Sequence, residues 1–178
     1  MNKFVKLPLF LGITCLVCGG LLAGVVFLTE GTIQKAAEAK LAEGYRNMYN
    51  TDSVEVKNIE LESTVDESIK GLAVVTHSSK QSAVYKLTST SAYEKMTFYV
   101  GISFDNNRVD GYYSIDTNTQ SIGYDQYKKN DKISSGMKGY DGSGDLVIAG
   151  VTAKYTTSGV QASIKKAFDD YNAREWGE

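Results

Sequence analysis

The stretch from Leu7 to Thr29 constrains this chain most, because its 23 residues contain no charged side chain. As a helix it spans roughly 34 Å at about 1.5 Å per residue, enough to cross a hydrocarbon core of about 30 Å. A cleavable signal peptide has an apolar core of about 7–15 residues that ends at a small-x-small site. Here Ala23-Gly24-Val25-Val26 runs on into further apolar residues, so the stretch reads as an uncleaved anchor. Lys3 and Lys6 put the N-terminus in the cytoplasm and the remaining chain outside. Gly20-Leu-Leu-Ala-Gly24, with Gly12 and Gly19 nearby, is a small-xxx-small face that suits close helix packing in a membrane. It equally suits a Gly-rich helix facing lipid.

Both cysteines, Cys15 and Cys18, lie in this stretch, so the part beyond it has no thiols for internal disulfides. Thiols in an apolar helix read as small apolar residues rather than as a redox pair. The net charge of −2 excludes the basic balance of a nucleic-acid partner. Twelve Tyr and 17 Gly against a single Pro point to a β-containing domain with Gly-based turns.

Thr32 to about Met48 predicts a stalk helix, with Ile33, Ala36, Ala37, Leu41 and Tyr45 at helical spacing. Asn50-Thr51-Asp52-Ser53 ends it. From Ser53 the period changes. Val54, Val56, Ile59 and Leu61 predict a first strand whose offset suits a bulge. Ile69–Thr76, Ala83–Thr90, Lys95–Phe104 and Arg108–Ile115 predict four more, rich in Val, Tyr, Phe and Thr. Asp105-Asn106-Asn107 is the hairpin turn between the last two.

Thr117 to Asn130 reads as a polar loop, Lys132 to Gly144 as a glycine-bearing loop, and Asp145–Ile148 as a short final strand. The last helix is predicted from about Ser158 to Asn172, with Val160, Ile164, Ala167, Phe168 and Tyr171 as its core face. The expected fold class is α+β. A single transmembrane anchor covers 1–30, a juxtamembrane stalk helix 31–50, and an antiparallel-sheet domain with a C-terminal helix 51–178.

One segment carries chemistry. The apolar run from Asp145 ends in Ala149-Gly150-Val151-Thr152, and the hydroxyls of Thr156, Thr157 and Ser158 lead into the last helix. Orphan amides and the positive end of a helix dipole favour an anion such as phosphate at such a mouth. Thr and Ser also open many helices that bind nothing.

This segment resembles the attachment site of the FMN-binding domain carried by the flavinylated peripheral subunits of two related assemblies, the Rnf-type electron transport complexes and the sodium-translocating NADH:quinone reductase. The motif there reads Asp-x-x-Ser-Gly-Ala-Thr, and its Thr is esterified to the FMN phosphate. Ala149-Gly150-Val151-Thr152 stands in its place, with Ala149 for Ser and Val151 for Ala. Asp145 lies one position farther from the Thr than in that motif. Thr157-Ser158-Gly159-Val160-Gln161 resembles the helix start that follows. Thr97–Asp105 with Arg108–Tyr113 is similar to the family's strand pair, and Thr119-Gln120-Ser121-Ile122-Gly123 to its flavin-contacting Glu-Thr-Pro-Gly-Leu-Gly.

The resemblance implies FMN on Thr152, with Gly150, Val151, Thr156, Thr157 and Ser158 around the phosphate and Thr119, Ile122 and Gly123 against the ring. Tyr124 and Tyr127 are candidates for stacking on it. It also implies an extracytoplasmic electron carrier matured by a flavin transferase, with membrane redox-complex subunits as partners. The alternative keeps the fold without covalent flavin, as a non-covalent FMN binder or a membrane-tethered interaction module.

Other chemistry finds no support. His77 is the sole histidine and reads as a surface residue near a strand end, and no zinc spacing, Gly-x-Ser-x-Gly elbow or GxGxxG loop is present. A pilin-like reading lacks its Gly-Phe-Thr-Leu-x-Glu processing site, and the first acidic residue is Glu30.

Overall fold

The computed structural model describes Cys15 and residues 39–90, 95–115, 126–127 and 129–176. Contacts divide the chain into a unit Met1–Leu41 and a unit Ala42–Glu178. The expected anchor lies outside the described residues except for Cys15, which is helical and exposed. Among the described residues no helix is long and apolar enough to cross a membrane.

The larger unit is α+β. Five strands, β1 (Glu55–Ile59), β2 (Ile69–His77), β3 (Lys80–Thr90), β4 (Lys95–Ser103) and β5 (Val109–Ser114), form one antiparallel sheet in chain order. The runs of Val, Tyr, Phe and Thr therefore become strands where their composition predicts. The bulges fall elsewhere than expected. They interrupt the pairing between Ile69 and Gly71 and between Gly101 and Ile102, and the first strand pairs without one. The second bulge leaves Asp110 between Val109 and Gly111 without a register partner.

Side-chain alternation sends Tyr85, Leu87, Phe98, Val100, Ile102 and Tyr112 into a single core. That core includes Ile133 and Met137 of α2 (Asn130–Met137) and Val160, Ile164, Ala167, Phe168 and Tyr171 of α3 (Lys154–Ala173). All five residues expected on the last helix's core face are buried. The opposite sheet face receives α1, the helical residues 42–49. Tyr45 packs edge-on against Tyr99 at a centroid distance of 5.0 Å, and Met48 is buried where Gly111 leaves room for it.

Three local expectations are corrected. Residues 130–137 form a helix rather than a loop, because Ile133 and Met137 are one turn apart and both fully buried. Its Gly136 sits against Ile148, which leaves no space for a Cβ there. Residues 145–148 are irregular rather than a strand. Leu146 and Ile148 do point inward while Val147 is 82% exposed. The ladder position they would need on β5 is already taken, since Val109 exchanges backbone bonds with Gly139 and Tyr140. The last helix begins at Lys154, four residues before the expected start.

Candidate functional site

Thr152 sits between two constraints, a tight turn before it and α3 after it. The turn is closed by Val151 N–H donating to the Ile148 carbonyl at 3.1 Å, with Gly150 in the left-handed region at φ +77°. Glycine is suited to that conformation, and here it also makes space. A Cβ at Gly150 would lie 2.9 Å from Lys132 Nζ, so the ammonium lies across the turn. Thr152 itself is exposed.

Gln126 clasps this segment. Its Oε1 accepts from Thr152 N–H at 2.9 Å and from Ala153 N–H at 3.3 Å, while its Nε2 donates to Thr152 Oγ1 at 3.0 Å. Ala153 is the N-cap of α3 and has no side chain able to cap. The carboxamide from outside the helix thus meets donors that a cap residue would otherwise take. The neighbouring Tyr127 anchors the clasp. Its ring is fully buried, its hydroxyl donates to Thr157 Oγ1 at 2.7 Å, and its carbonyl accepts from Tyr112 at 3.2 Å. Burial raises the Tyr127 phenol pKa, with the Thr157 contact opposing.

The other sequence candidates are placed differently from the expected hydroxyl-lined mouth. Thr156 is buried, Thr157 Oγ1 donates to the Ala153 carbonyl at 3.0 Å, and Ser158 Oγ donates to the Lys154 carbonyl at 3.0 Å. These are back-bonds of the first helical turns, which follow from the early start of α3. Tyr127 is core rather than a free stacking face. Thr119, Ile122, Gly123 and Tyr124 lie outside the described residues. Gln126 and Lys132 carry no motif, so sequence reading passed over both.

A second polar cluster forms where α1 meets the sheet. Tyr49 OH donates to Asp110 Oδ1 at 3.1 Å, and Ser82 Oγ donates to Asp110 Oδ2. His77 Nε2 lies 3.2 Å from Ser82 Oγ and 3.5 Å from Asp110 Oδ2, and its ring stacks on Tyr49 at 3.5 Å. The Ser82 proton is committed to the carboxylate, so His77 Nε2 is the donor. This order is the reverse of an activated nucleophile, and Ser82 is fully buried. The cluster joins a Ser, a His and an Asp without hydrolytic geometry. The expected surface histidine is therefore a buried one, only 9% exposed. The available signal was Gly101, since an isolated Gly in a strand marks close approach of another group. A Cβ there would land on the Tyr49 hydroxyl.

Among the described residues no group of three His, Cys, Asp or Glu side chains is arranged to hold a metal ion. No family model matches the chain, and no curated protein matches it.

Proposed function

We propose that this chain is a membrane-anchored, extracytoplasmic flavoprotein whose Thr152 carries FMN as a phosphoester. It transfers electrons in or beside a membrane redox complex of the Rnf or sodium-translocating quinone reductase type. The observation that carries the reading is the Thr152 hydroxyl. It is exposed, lies on irregular backbone directly ahead of α3, and falls in the segment that resembles the flavin attachment motif.

The surroundings fit a phosphate on two counts. Lys132 brings an ammonium across Gly150, and the N-terminal end of the 20-residue α3 lacks an acidic residue in its first turn. Thr157 and Ser158 contribute through the helix start they build rather than through their hydroxyls. Attachment joins Thr152 Oγ1 to the phosphorus of an activated flavin nucleotide. The phosphoanhydride bond breaks, the nucleoside monophosphate leaves, and the hydroxyl proton is released. The flavin, when bound, supplies reversible electron transfer, and the polypeptide supplies attachment and electrostatics. A flavin transferase is the maturation partner, and neighbouring membrane subunits are the electron-transfer partners.

The test is co-expression of the full chain with a flavin transferase from its own host, followed by intact mass under denaturing conditions. The expected result is a gain of one FMN less one water that disappears in Thr152→Ala. An unmodified chain, with the transferase active on a control substrate, overturns the covalent reading.

One observation favours a flavin-free interaction module as the second reading. The largest cleft, about 920 Å³, opens at the far end of α3 between β1 and the 62–66 segment. Lys57, Val65, Asp66, Lys166, Arg174 and Trp176 line it together with other residues, none of them from 145–158. Lys154 and Lys166 are roughly 18 Å apart along the helix. The cleft therefore contributes nothing to Thr152. The Thr152 reading is preferred because its geometry coincides with the motif.

A further inference from the structure

We infer that Gln126 is the positioning residue of the Thr152 site, holding the Thr152 hydroxyl in the single orientation from which it is esterified. The inference rests on the reading of Thr152 as the attachment residue. It is carried by a two-point fork, in which one carboxamide binds the backbone N–H and the side-chain oxygen of the same residue, at 2.9 and 3.0 Å.

An exposed Thr outside regular structure ordinarily samples its staggered rotamers, with little to favour the reactive one. Here the backbone is held from both sides. Lys154 N–H donates to the Thr152 carbonyl at 2.9 Å, and Gln126 Oε1 takes the N–H groups of Thr152 and Ala153. With the backbone fixed, the Nε2 donor selects the Oγ1 orientation. The fork accepts nothing from the hydroxyl proton, which stays free to leave. A second lone pair on Oγ1 remains for attack on phosphorus. After esterification the same Nε2 still faces an ester oxygen, which is an acceptor too. Gln126 is itself held by its neighbour, since Tyr127 is fully buried and bonded to Thr157. The clasp is thus built on the core and not on a surface side chain alone.

Two measurements on the full chain test this. Gln126→Ala and the similarly long Gln126→Met are compared with wild type for transferase-catalysed flavin incorporation and for amide hydrogen exchange. The expected result is a kcat for incorporation about tenfold lower in both variants, the rate equivalent of one neutral hydrogen bond. KM should remain within about twofold, because Gln126 orients Thr152 instead of binding the transferase. Amide exchange should accelerate at Thr152 and Ala153 with Tm unchanged, a local signature that general destabilisation does not give. Wild-type kcat in both variants overturns the role of Gln126 and leaves the Thr152 reading standing. A wild-type chain that is never modified removes the Thr152 reading, and this inference with it.

Discussion

Gly101 and Asp110 decide how closely α1 approaches the sheet. Asp110 occupies the bulge and accepts from Tyr49 and Ser82, while Gly101 leaves space for the Tyr49 hydroxyl. Gly101→Ala forces that hydroxyl away and costs about 1–3 kcal/mol as an overpacking change, read as a lower urea midpoint. Removing the obstructing hydroxyl as well, in Gly101→Ala with Tyr49→Phe, should recover part of the loss. His77 adds a pH dependence. Burial lowers its pKa below the usual 6.5, outweighing the opposing pull of Asp110; Lys80 and Asp105 are the other charges acting on it. The folded state favours the neutral ring, so its contribution is present above pH 6.5 and is lost as pH falls through the depressed value. Melting curves from pH 7.5 down to 5.5 should show Tm dropping in wild type and a flatter profile in His77→Gln. A Tm independent of pH in wild type contradicts this account. None of these contacts was legible from a lone His in a polar context, because its partners come from α1, β3 and β5.

Elements were read well where the period is strong and the burial one-sided. α3 is such a case. Ile164 is fully buried in its core face, and Ile164→Ala should cost about 2–5 kcal/mol in urea denaturation. The turn between β2 and β3 was not legible. Ser78 and Ser79 form a two-residue hairpin loop with φ of +46° and +65°. Asn-Gly is the usual signal for such a loop, and a Ser pair is not. Replacing Ser78-Ser79 by Asn-Gly should therefore raise stability, by about 1 kcal/mol, visible as a higher Tm. An unchanged or lower Tm would show that the turn carries no strain. The 145–148 segment shows the converse error. Its inward and outward alternation is real, but Val109 already bonds to Gly139 and Tyr140, so no ladder remained for it.

At the scale of the molecule, the compact unit starts at Ala42, within the residues that the sequence assigns to the stalk. Tyr45 and Met48 are 4% and 6% exposed, and burial of each contributes about 1.5–3 kcal/mol. A chain of residues 42–178 should unfold in one cooperative transition. A chain of residues 51–178 should lose several kcal/mol and bind a hydrophobic dye at the uncovered Tyr99 and Gly111 face. Equal urea midpoints for the two would place α1 outside the folding unit. By itself the sequence determined the α+β class, the five strands and the inward face of α3, because hydrophobic period and β-branched or aromatic composition act locally. It also singled out Thr152 as the residue to test. Only the tertiary structure decided that Gln126 clasps Thr152, that Lys132 lies across Gly150, and that His77 is buried under Tyr49. Each of those contacts joins residues 5 to 28 positions apart with no shared motif, and only the folded backbone brings their donors and acceptors within bonding distance.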